Sequence, residues 1–208
     1  MTALPARDVR ISRRSWLLAG LATPLLRGRA AESLHVSFDG DNLHVAAPGL
    51  HFLTGKPLER LRDAATVVFL SQLTVYSDDR DTVFRRFPER IIVSYDLWEE
   101  KFAVSIPGPA ARSKSHMVAA QAEAWVIDGL AVSALGIDPN RQFWLKFELR
   151  TADRRELSKL VGDTGISVSS LIEMVTRQRG LDDSFWSLSA GPLRLVDLPR
   201  TGRGTRNG

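Results

Sequence analysis

The 208-residue chain contains no cysteine. Disulfides, cysteine–zinc sites and thiol catalysis are therefore excluded, and any folded domain must rest on its apolar core. From Ala31 onward there is also no run of about 20 apolar residues, the length a helix needs to cross a bilayer. No membrane span is expected in that part. The catalytic signatures are missing as well. There is no Gly-x-Ser-x-Gly, Ser-x-x-Lys, Walker loop or dinucleotide-binding fingerprint. No catalytic residue is nominated on this basis, and no cofactor is implied.

A basic surface is the next absence. The formal net charge is +4, but six Arg against one Asp within residues 1–30 give +5, so the remaining chain nets −1. The polar tail Thr201–Gly208 holds two more Arg, Arg203 and Arg206, which leaves the body at −3. Basic character confined to the two ends gives no face for nucleic acid.

What is present begins at the N-terminus. Arg7, Arg10, Arg13 and Arg14 precede an eleven-residue apolar run, Trp16–Leu26. A positive start, a short apolar helix and small residues before a cut make a secretory signal. Pro24 would break that helix near its end, and Gly28 and Ala30 stand at −3 and −1 of a cut before Ala31. Ser12-Arg13-Arg14-Ser15-Trp16-Leu17 resembles the twin-arginine export signal, in which an aromatic residue and Leu follow Arg-Arg-x. The general secretion route is the alternative, and an uncleaved anchor is a further one. The expected organisation is an export signal at 1–30, one domain at 31–200 and a disordered tail at 201–208. The expected location is the periplasm or another extracytoplasmic space.

The body alternates strands and helices. Leu34–Phe38 and Asn42–Ala46 flank Asp39-Gly40-Asp41, an Asp-Gly hairpin signal. Thr54 can cap a short helix containing Leu58 and Leu61. Thr66–Tyr76 reads as a strand, apolar enough at its start to be central. Arg90–Leu97 and Lys101–Ile106 alternate with period two, as half-buried strands do. Ser115 to Leu135 reads as one long Ala-rich helix stopped by Gly136. Gln142–Arg150 alternates cleanly, Ser170-Leu-Ile-Glu173 fits a capping box, and Leu193–Leu198 reads as a last strand. The fold class is α+β: one mostly antiparallel sheet with the long helix packed on one face.

The order of these elements resembles a bacterial family of exported proteins of unknown function, some encoded beside membrane-bound histidine kinases. Leu58-x-x-Leu61, Phe69-Leu-Ser-Gln-Leu73, Phe84-Arg-Arg-Phe87 and Val93-Ser-Tyr95-Asp-Leu97 carry the likeness over residues 34 to about 150. It departs where the family has a Gly before the long strand; here Asp63-Ala64-Ala65 stands. The resemblance implies an address and a fold, and no active site.

Several residues are candidates for chemistry. His35, His44 and His51 each follow a Leu, and hairpin pairing makes His35 and His44 diagonal neighbours on one face. Such neighbours are about 7–8 Å apart, within reach of one metal ion, with His51 as a third ligand. Wet-face histidines of an ordinary hairpin are the plainer reading. Asp96, Glu99 and Glu100 read as a solvated turn rather than a paired-carboxylate site. Asp78, Asp79 and Asp81 lack the spacing of a calcium loop. Arg85 and Arg86, between two phenylalanines, could hold a phosphate or an anionic lipid headgroup, but a solvated basic turn with the aromatics tucked inward is the plainer reading. Trp98 and Trp144 fall outside the apolar alternation of their strands; exposed Trp would mark a contact surface, and a second helix covering that face and burying them is the equal alternative. The expected function is a non-enzymatic binding module with an envelope protein or membrane-associated partner. A metal- or small-ligand-binding enzyme using the three histidines is the alternative. Replacing Arg13-Arg14 with Lys-Lys should abolish export; periplasmic accumulation at the wild-type level, followed by cell fractionation, would refute the twin-arginine route.

Overall fold

Asp39 makes the first turn by accepting two backbone N–H groups on one carboxylate oxygen, from Asp41 at 2.8 Å and Asn42 at 2.7 Å. Gly40 supplies the positive φ, +107°, that this turn requires. In the computed structural model, which describes residues 33–77, 82–152 and 184–201, the turn joins β1 (His35–Phe38) to β2 (Asn42–Ala46). Their register pairs His35 with Ala46 and Ser37 with His44, as the hairpin signal requires.

The chain continues through α1 (Gly55–Arg62), β3 (Val67–Tyr76), β4 (Val83–Asp96), β5 (Lys101–Ile106) and β6 (Arg112–Met117). Then come α2 (Ala119–Asp128), β7 (Ala131–Ser133), β8 (Phe143–Thr151) and β9 (Phe185–Leu193). Among the described residues the strands form two antiparallel sheets. One has the order β1-β2-β7, the other β6-β5-β4-β3-β8-β9. The apolar β3 is central, flanked by β4 and β8. Thr54 stands at the N-cap position of α1 without a side-chain capping bond.

Two sheets replace the single sheet expected. Val36, Leu43, Val45 and Val132 of the small sheet share one core with Val67, Phe69, Leu73, Val93, Val104, Phe147 and Leu149 of the large one. Phe52, on the segment between the hairpin and α1, is fully buried in it. Its ring meets Phe69 edge-on at 5.1 Å and Trp186 at 6.3 Å. Burial of one such ring contributes about 1.5–3 kcal/mol.

The long helix from Ser115 to Leu135 is not there. Arg112–Met117 instead pairs with β5 as the sheet's edge, with a bulge where His116 takes φ 59°. The helix α2 is only ten residues long and ends at Gly129. Its first turn is closed by the Gln121 side chain, which accepts the Val118 N–H at 3.3 Å. The apolar stripe continues past Gly129, but Leu130 and Val132 enter the core from loop and strand. The last strand also moves. It ends at Leu193, and Leu195–Asp197 is a short 3-10 turn. Trp186, Leu188 and Ala190 form its inward row, packed with the core. The capping-box helix near Ser170 and the export signal lie outside the described residues, as does the tail from Gly202 onward.

A cation–π contact also joins α2 to the sheet edge. The Arg112 guanidinium lies 4.9 Å from the Trp125 ring centre and 3.6 Å from the Glu89 carboxylate. It rests on Gly129, where any Cβ would overlap it. Burial pushes the Glu89 carboxyl above its ordinary value, and the charge of Arg112 opposes that rise.

Gly129→Ala should therefore cost about 1–3 kcal/mol, since it displaces the guanidinium from the indole and leaves Glu89 without its cation. Arg112→Ala should cost a similar amount, and the double variant little more, because both changes remove one contact. A raised folded-state value favours folding in acid, and that gain is lost as pH rises through it. Without Arg112 the rise is unopposed, so Arg112→Ala should lose more stability at neutral pH than in mild acid. Urea midpoints measured across pH check both; additive losses or a flat pH profile contradict them.

Candidate functional site

The β4–β5 turn builds the most exposed aromatic group of the described residues. Asp96 pairs with Lys101, which leaves Leu97, Trp98, Glu99 and Glu100 as the loop. One Asp96 carboxylate oxygen accepts the N–H of Trp98 at 2.8 Å and of Glu99 at 3.1 Å. These bonds, that of Glu99 first, hold the Asp96 carboxyl below its ordinary value, so it stays ionised. The loop has no glycine, and Glu100 takes the positive φ, 54°. The Trp98 side chain is left 97% exposed, beside Leu97 at 50%. A large apolar group this exposed is uncommon, because it forgoes roughly 2–3 kcal/mol of burial. The turn that exposes it is held by specific hydrogen bonds.

The bulge in β6 brings a histidine to this turn. His116 Nε2 lies 3.1 Å from Glu99 Oε2, and its Nδ1 lies 2.8 Å from the Ser115 hydroxyl. Sequence reasoning places this stretch in a helix and so misses His116. The signal that finds it is the pairing of β6 with β5, which no local pattern announces.

Trp98 and Trp144 do not share a surface. Trp144 sits opposite Tyr76, at the end of β3 away from the Trp98 turn. The whole of β4 runs between those ends, roughly 40 Å along the strand at about 3.3 Å per residue. Trp144 is half-buried, lies close against Gly191 and lines a shallow cavity of about 420 Å³ with Tyr76, Lys146 and Ser189. Lys146 is already paired with Glu148 at 2.8 Å.

Arg85 and Arg86 lie inside β4, so alternation sends them to opposite faces. Arg85 donates to the Ser133 carbonyl at 2.7 Å and the Leu135 carbonyl at 3.0 Å, which ties the end of β7 to the large sheet. Arg86 is exposed on the other face. The flanking Phe84 and Phe87 are 42% and 36% exposed rather than tucked inward.

The three histidines of the hairpin region are engaged separately. His35 bonds the Ser33 hydroxyl at 3.0 Å. His44 Nε2 bonds Asp39 at 2.7 Å and is the first cause that holds the Asp39 carboxyl well below the usual carboxylate range. His51 Nδ1 bonds Glu123 at 2.9 Å. The other oxygen of Glu123 accepts the Leu53 N–H at 2.7 Å, so one buried carboxylate of α2 anchors the segment around Phe52. Among the described residues no group of three or more potential ligands is placed to hold a metal ion.

Comparison of the chain with protein-family models, with curated proteins and with solved structures finds no match. The local geometry therefore carries the functional argument. If Glu100 stores strain to close the loop, Glu100→Gly should raise stability by about 0.5–1 kcal/mol, since an L-residue in this conformation costs roughly 1–2 kcal/mol. A lower or unchanged thermal midpoint contradicts that backbone.

Proposed function

We propose that this chain is a non-enzymatic binding module of the bacterial cell envelope, exported by its N-terminal signal, that engages its partner through the β4–β5 turn. The single observation that carries the reading is Trp98, 97% exposed on a turn whose backbone is held by Asp96. Tryptophan is enriched among the residues that dominate interface energies, because one ring buries a large area at little entropic cost. A preordered turn lowers the ordering cost of binding further. The likeness of Val93-Ser-Tyr95-Asp-Leu97 and its companion motifs to an exported family supports the same address. Arg13, Arg14, Trp16 and Leu17 would direct export, with cleavage between Ala30 and Ala31. A partner protein or membrane-associated component of the envelope fits this location.

The reading needs no cofactor and assigns no catalytic residue. Among the described residues the separate engagement of His35, His44 and His51 gives the metal-dependent enzyme no supporting geometry.

The test is affinity capture of the tagged protein from native envelopes, with mass spectrometry of what co-purifies. Trp98→Ala should reduce capture of a stoichiometric component at least tenfold, in the range expected for a central interface Trp. Its thermal midpoint should match the wild type, since the removed ring packs on nothing. Equal capture by Trp98→Ala and wild type would sink the reading.

A further inference from the structure

We infer that the Leu97–Trp98 turn docks into an apolar pocket rimmed by Lys and Arg on another protein, and not into a lipid surface. This rests on the binding reading above and names its partner's chemistry. Three carboxylates surround the exposed pair on the turn itself: Asp96 before it, Glu99 and Glu100 after it. Lys101 is the one cation in the same stretch, so residues 96–101 net −2. Glu99 is half-exposed, and Glu100 is exposed on the loop's last position. The apolar pair seeks burial, and the net negative charge of the turn favours cations around it, although Asp96 already accepts two backbone N–H groups and Glu99 already meets His116.

A membrane would satisfy the first demand and oppose the second. Peripheral proteins that insert Trp and Leu at a bilayer flank them with Lys and Arg, because phospholipid surfaces carry negative charge. Anionic surfaces attract Lys and Arg and repel carboxylates, and here the sign is wrong. A protein pocket meets both demands. The indole fills the apolar centre, and basic side chains at the rim meet Glu99, Glu100 and Asp96. Rim charges of this kind mainly set the encounter rate and exclude wrong partners.

The bulge of β6 adds direction. His116 contacts the Glu99 carboxylate from one side. Glu100, the next residue, takes a left-handed backbone, φ 54°, and is exposed. Because His116 pairs with Glu99, Glu100 can be changed without removing either partner of that contact.

The experiment places the photoreactive residue p-benzoylphenylalanine at position 98 of the full chain in producing cells, followed by irradiation and mass spectrometry. Expected is one predominant protein adduct, with Lys or Arg flanking the cross-linked site. Reversing the acids with Glu99→Lys and Glu100→Lys should lower its yield about tenfold, the scale on which charge steers association. Glu100→Lys alone should lower it severalfold. Equal thermal midpoints confirm that the variants fold. In parallel, vesicles of phosphatidylethanolamine and phosphatidylglycerol should leave unchanged the fluorescence difference between wild type and Trp98→Phe. A lipid adduct, or a blue shift on those vesicles, overturns the inference. So does a protein adduct whose yield survives charge reversal, although that result leaves the binding reading intact. The absence of any adduct removes both.

Discussion

Phe52 anchors to the large sheet the segment that follows the hairpin. Its ring is fully buried against Phe69 of the central strand and Trp186 of β9, and its chain neighbours are held by one carboxylate. Glu123 takes His51 with one oxygen and the Leu53 N–H with the other. The aromatic wedge and the ionic clamp act on three consecutive residues. Together they fix the segment that links the hairpin sheet to α1 and β3. A buried carboxylate is costly unless its lone pairs are met. Glu123 is tolerated because both of its oxygens are.

With the core face committed in this way, the exposed groups separate into those that hold structure and those that hold nothing. Arg85 looks like an anion clamp in the sequence but spends its guanidinium on the carbonyls of Ser133 and Leu135. Arg112 joins three elements through Trp125, Glu89 and Gly129. His44 and Asp39 complete a turn. Trp98 differs from all of these. The backbone beneath it is bonded, and its ring is left in water. We propose that this arrangement serves contact with something outside the chain.

Much of the strand pattern was legible because its signals are local. Asp39-Gly40 announces a hairpin through backbone conformation, and Phe143, Leu145, Phe147 and Leu149 announce a half-buried strand through period two. The stretch after Ser115 was not legible. Its alanines and its apolar spacing continue through Gly129, so composition favours one long helix. The helix ends at Gly129, where the Arg112 guanidinium occupies the space a Cβ would take, and the strand at Arg112–Met117 pairs with the edge that β5 offers. Neither fact is local. The same holds for the site. Trp98 was visible as a Trp off the apolar alternation. The carboxylate that fixes its turn lies two residues away, but the histidine that joins it comes from the neighbouring strand. His51 and Glu123 are 72 residues apart, and only the fold brings them together.

The central claim is that one indole is held out from an ordered turn for a partner. Fluorine NMR on 5-fluorotryptophan-labelled protein reads this directly, with Trp98 assigned by its loss in Trp98→Phe. The account predicts a Trp98 resonance with a full solvent isotope shift in the purified protein. That resonance alone should move or broaden when native envelopes are added, while those of Trp125, Trp144 and Trp186 stay in place. A Trp98 resonance shielded from solvent, or unmoved by the envelopes, would contradict it.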